Sequence, residues 1–120
     1  MVNDSTERRH SPSCNLERIK HLAEDEAVVY GSSRVEADIG SLGYSFSNVC
    51  DCLRALEAEH FSHAERYGPS QVWLDVYKIS MTYIPSEDGS REWCDPLYIK
   101  LKLDAHCVTV VLCSFHRERN

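Results

Sequence analysis

The chain has 120 residues, of which 42 % are hydrophobic and 27 % charged, with six cysteines and a formal net charge of −6. That is enough for one domain with its own core. The acidic balance excludes a surface coated in positive charge for nucleic acid, though not a local basic patch, and no apolar run approaches the ~20 residues that span a bilayer.

Residues 1–13 are polar and lack the apolar centre of a secretory signal, so they read as a disordered tail ahead of a single domain, 14–120, in the cytoplasm. The cysteines (Cys14, Cys50, Cys52, Cys94, Cys107, Cys113) include no C-x-x-C pair. Without a secretory signal they read as reduced core thiols rather than disulfides. Cys50-x-Cys52 near His60 or His63 is a weak metal pattern, because helix positions two apart face different ways. No metal site is assigned.

Asn15 is a plausible cap for a helix carrying Leu16, Ile19, Leu22 and Ala23 to about Asp25. Val28–Tyr30 is a short extended piece. A second helix is predicted from about Ser33 to Leu42, closed by Gly43. Ser47 reads as the cap of a third, whose apolar face is Val49, Cys52, Leu53 and Leu56. The stretch from His60 to Pro69 is polar and rich in ring side chains, and Gly68-Pro69 ends any helix there. Gln71–Ile79 is β-branched and aromatic, a strand with Trp73, Asp75 and Tyr77 on one face and Met81–Tyr83 as a possible extension. Pro85–Ser90 is a turn-rich loop.

The closing stretch is the most ordered in pattern. Leu97, Ile99, Leu101 and Leu103 alternate with Tyr98, Lys100 and Lys102, the period-2 signature of a strand with one buried and one wet face. Asp104–His106 links it to the apolar run Cys107–Phe115, which reads as an inner strand ending on His116. Helices followed by strands predict an α+β fold with a small antiparallel sheet of about three to four strands.

This order of pieces resembles the MqsR family of bacterial toxins from about Pro12 to Arg117. The matching features are Pro12, Leu16, Ile19, Lys20 and Leu22, then Leu42-Gly43-Tyr44-x-Phe46, Val49-Cys50, Phe61 with Tyr67, Trp73-x-Asp75-Val76-Tyr77-Lys78, Tyr98-x-Lys100 and Ser114-Phe115. The resemblance implies a RelE-like fold and a ribosome-independent endoribonuclease that cleaves single-stranded mRNA without metal or cofactor. A 2′-hydroxyl would attack the adjacent phosphate to leave a 2′,3′-cyclic end. It also implies a cognate antitoxin partner, with a helix-turn-helix domain, that neutralises the toxin and represses the operon.

Of the family's proposed site residues, the tyrosine is kept as Tyr98. Two lysine positions carry His63 and His116, and the glutamine position carries Leu74. Internal transesterification needs a base for the 2′-OH, an acid for the leaving 5′-oxygen and cations on the phosphorane. Histidine, with an ordinary pKa of about 6.5, suits both proton roles at neutral pH. His63 and His116 thus stand as base and acid, with Tyr98 beside them and Lys78, Lys100, Lys102, Trp73 and Tyr77 as phosphate- or RNA-binding groups. Without the resemblance, Lys100 and Lys102 read as a solvated strand face. Leu74 and the acidic surface favour an alternative: a catalytically lapsed or repurposed RelE-like domain that acts by binding protein or RNA. A ribosome-dependent nuclease is a third reading.

Overall fold

A computed structural model describes residues 6–83 and 93–118. Three helices, α1 (Leu16–Glu24), α2 (Ser33–Leu42) and α3 (Phe46–Arg54), pack on one face of a sheet built from β1 (Thr6–Arg9), β2 (Val28–Tyr30), β3 (Phe61–Tyr67), β4 (Leu74–Tyr83), β5 (Trp93–Leu103) and β6 (Val110–Arg117). The strand order is β1-β3-β4-β5-β6-β2. The α+β class holds, with two corrections. The sheet has six strands rather than three or four, and it is mixed, because β2 runs parallel to β6 while the other pairs are antiparallel.

Local sequence explains most boundaries. Asn15 caps α1 by accepting from the Arg18 N–H, and Gly43 closes α2 at φ 78°, a conformation a Cβ disfavours. The third helix starts earlier than Ser47: Ser45 caps it, in a reciprocal box with Asn48. The polar opening segment does not simply fray, since Thr6–Arg9 pairs with β3. The helical residues Ile19, Val49 and Leu53, with Leu56 just past the end of α3, meet Leu97, Ile99, Leu101, Leu112 and Phe115 in one core. Asp75 is buried on that face, where its carboxylate accepts from the Ser13 and Cys14 N–H groups at 2.8–3.0 Å and anchors the entry to α1 on β4.

Two β-bulges set which side chains face away from this core. Between β5 and β6, Lys100 pairs with Ser114 but Leu101 with Leu112, leaving Cys113 as the extra residue. That re-phasing buries both Leu112 and Phe115, three residues apart, which a regular strand would put on opposite faces. On β3, Phe61 pairs with Tyr77 and His63 with Val76, so Ser62 is extra. Phe61 therefore packs edge-on against Tyr77 in the core, and His63 turns to the other face. The segment His60–Pro69, to which the sequence assigns no strand, holds β3, which forms there because its polar side chains find partners on that face. The last strand begins at Val110 instead of Cys107, since the Asp104 side chain accepts from the Val108 and Thr109 N–H groups and organises the link. Cys107 in this link is exposed at φ 57°, so it is not a core thiol, whereas Cys50 and Cys52 are buried. The loop Pro85–Ser90 lies outside the described residues.

Candidate functional site on the helix-free face

Alternation along β5 buries Leu97, Ile99 and Leu101 and sends Tyr98, Lys100 and Lys102 to the face without helices. The register extends this into rows. His63, Val76, Lys100 and Ser114 form one row across β3–β6, and Lys78, Tyr98 and His116 form the next.

The chemical centre of the face is a residue the sequence did not single out. Glu65 is 4 % exposed. One carboxylate oxygen meets His63 Nε2 at 2.7 Å, and the other meets Lys100 Nζ at 3.1 Å and accepts from the Tyr67 hydroxyl. Arg8 stands 3.7 Å away. Burial alone would raise the Glu65 pKa, but hydrogen bonds from Tyr67, His63 and Lys100, with the charge of Lys100, outweigh it and carry it down to about 2. Burial and the bond to Glu65 push the Tyr67 phenol up, so it stays protonated and donates. For Lys100, burial alone would lower the ammonium; its bonds to Tyr67 and Glu65 reverse that and hold it above the ordinary lysine value. Lys100 is thus a fixed cation and not a proton acceptor. His63, Glu65 and Tyr67 share strand parity, and this is the signal by which Glu65 and Tyr67 were open to detection.

Beside this cluster the rings of Tyr98 and His116 stack with centroids 5.0 Å apart and planes 8° off parallel. The Lys100 ammonium lies 5.8 Å from the Tyr98 ring centre, which links the two groups. His116 Nδ1 sits 2.8 Å from the Arg117 carbonyl, which accepts only from N–H, so Nδ1 carries a proton and Nε2 is left for other chemistry. His63 differs. Its Nδ1 faces the Ser62 hydroxyl at 2.8 Å and its Nε2 faces Glu65, so both ring nitrogens are engaged. Three strand steps separate β3 from β6, about 14 Å at the backbone. The two histidines accordingly sit on opposite sides of Lys100 and do not touch.

The other expected residues fall in different places. Lys78 is on this face but paired with Glu118 at 3.1 Å. Lys102 emerges at the end of β5; among the described residues no carboxylate lies within ion-pair distance of it, whereas Lys20, Lys78 and Lys100 each have one. It borders a cavity of about 480 Å³ that also involves Cys14, Arg18, Gln71, Trp73 and Leu103. The Trp73 ring is engaged by the guanidinium groups of Arg9 and Arg66, 4.2 and 4.9 Å from its centre. Tyr77 must be corrected as an RNA contact: it points into the core, is 1 % exposed and packs on Phe61. Leu74 pairs in register with Glu65 on the helix-free face. Among the described residues no three His, Cys, Asp or Glu side chains converge as metal ligands, and no helix is long and apolar enough to cross a membrane.

No curated protein matches the chain. The family described as motility quorum-sensing regulator, toxin of MqsA, matches residues 11–117. That span takes in the capped helices, the W-x-D-V-Y strand and the closing hairpin with its Tyr98–His116 stack. The chain belongs to the MqsR toxin family.

Proposed function

We propose that this protein is the toxin of a toxin–antitoxin pair, an mRNA interferase of RelE-like fold that acts in the cytoplasm and is neutralised by a cognate antitoxin. The observation that carries the reading is the fixed cation Lys100, braced by buried Glu65 and flanked by a stacked Tyr98–His116 pair whose imidazole Nε2 has no hydrogen-bond partner among the described residues.

Each group has a role in metal-independent transesterification. Lys100 holds the scissile phosphate and balances the charge that grows on the phosphorane. His116 Nε2 takes the 2′-OH proton; the 2′-oxygen bonds to phosphorus and the bond to the 5′-oxygen breaks. The Tyr98 phenol donates toward the leaving oxygen, which departs as a 5′-hydroxyl and leaves a 2′,3′-cyclic phosphate. His63, with both nitrogens occupied, positions Glu65 and through it Lys100. This differs from a His63–His116 base–acid pair, which the strand spacing disfavours.

Leu74 in place of a hydrogen-bonding glutamine supports a second reading, a catalytically lapsed domain that binds protein or RNA without cutting it. Induced expression of the wild type against Tyr98→Phe and His116→Ala separates the two. The nuclease reading expects growth arrest and cyclic-phosphate RNA ends from the wild type, both reduced at least tenfold in each variant. Arrest without such ends supports the lapsed domain, and identical behaviour of all three proteins removes Tyr98 and His116 from the site.

A further inference from the structure

The cavity beyond Lys102 has no part in the cleavage chemistry. We propose that it is a nucleobase subsite, taking the base of the nucleotide next to the scissile phosphate. The proposal rests on the nuclease reading above.

Residues two apart on a strand project on one face at intervals of about 6.7 Å. Tyr98, Lys100 and Lys102 therefore form a line along β5. An RNA strand lying on that line, with its scissile phosphate at Lys100, brings its next phosphate to Lys102, the lysine without a carboxylate partner among the described residues. β5 ends one residue later, at Leu103, and the cavity opens there. Its volume, about 480 Å³, lies within the range of about 300–1,000 Å³ typical of small-ligand sites.

The lining suits a flat heterocycle. Cys14 and Leu103 supply apolar wall, and Trp73, gripped by Arg9 and Arg66, stays fixed as a rigid side. The exposed Gln71 amide offers two donors and an acceptor, the groups that read a base edge. Arg18 is held through Nε by the Cys107 carbonyl at 3.0 Å, which leaves its terminal N–H groups for the same edge. Asp104 also lines the cavity, and its Oδ1 accepts from the Val108 and Thr109 N–H groups, which fixes the carboxylate at the cavity's edge.

The test uses Trp93→Phe protein, in which Trp73 is the single tryptophan, titrated with uncleavable 2′-O-methyl oligoribonucleotides that differ at one base. The subsite requires a saturable change in Trp73 fluorescence and at least tenfold discrimination among bases. Gln71→Leu should flatten that discrimination. Lys102→Ala should weaken all the oligonucleotides about tenfold and lower the slope of log affinity against log salt by about 0.7. Saturable binding without a Trp73 response, or undiminished discrimination in Gln71→Leu, overturns the subsite. Discriminating binding by a wild type that never cleaves RNA refutes the nuclease and leaves the subsite. Cleavage whose positions Gln71→Leu does not shift does the reverse, and absence of any RNA binding refutes both.

Discussion

Replacing Glu65 by glutamine keeps the shape of the side chain and deletes the charge that Lys100 and His63 share. The native carboxylate titrates at about 2 against an ordinary value of 4.5. At about 1.4 kcal/mol per pKa unit, that difference corresponds to about 3 kcal/mol of stability. The folded-state pKa is depressed, so this contribution is fully present above about pH 4.5 and is lost as pH falls toward 2. Above pH 5, Glu65→Gln should be destabilised by about 2–3 kcal/mol, because it leaves the Lys100 ammonium, only 15 % exposed, without a counter-charge. For a domain of this size that is roughly 10 °C in Tm. Asp75 works in the opposite sense, since burial pushes its carboxyl up. The quantity to follow is thus the difference between wild type and variant in urea unfolding at pH 7, 4.5, 3 and 2.5. The gap should narrow steadily below pH 4.5. A gap that stays constant from pH 7 to 2.5, or no gap at pH 7, would refute the ion cluster as described.

Two further perturbations test the framework that carries the site. Tyr44 donates to Asp95 at 2.8 Å, and Asp95 also holds Arg117, the residue after His116, at 2.9 Å. Tyr44→Phe should cost about 1–2 kcal/mol in denaturant unfolding and, by loosening the end of β6, lower RNA cleavage; unchanged stability would dissociate this bond from the fold. At Gly31 an added Cβ would meet the Leu112 carbonyl oxygen at 2.7 Å, a contact that backbone must move to relieve. Gly31→Ala should therefore part β2 from β6 and lower stability by about 2 kcal/mol or more, and a wild-type Tm would show that the approach is not close.

The helices were legible because their signals are local. Asn15, Gly43 and the Val49–Leu56 spacing each specify a cap or a face without reference to the rest of the chain. The wet and dry sides of β5 were equally plain, and the same period-2 rule places Tyr77 with Ile79 on the core side. The strand β3 was hidden for a physical reason. FSHAERY has no aliphatic alternation because its outer face is filled by a buried ion cluster, not by solvent, and its stability comes from partners on other strands. The bulges at Ser62 and Cys113 were illegible too, as they arise from register between strands. They decide that His63 faces the site and that Phe115 does not. β1 went unseen because its exposed, charged residues differ little from those of a tail.

The departures from the family pattern make more sense together than singly. Leu74, where a glutamine would offer hydrogen bonds, is paired in register with Glu65, so the polar function missing from β4 stands one strand over on β3. A carboxylate there, however, takes up the charge of Lys100. A lysine at position 63 would set a second permanent cation against the same Glu65; histidine can share the carboxylate with Lys100 and need not be charged. The result is a rigid cluster in which Glu65 offsets the charge of Lys100. Lys78 is offset in the same way by Glu118. The long-range attraction that draws RNA to a basic surface is therefore weak in this acidic chain, and the local attraction falls on Lys102 at the mouth of the cavity. On the proposed nuclease reading, a site so arranged would depend less on overall charge than on how well one nucleotide fits beside Lys100, which is the condition under which base recognition next to the scissile bond would matter most.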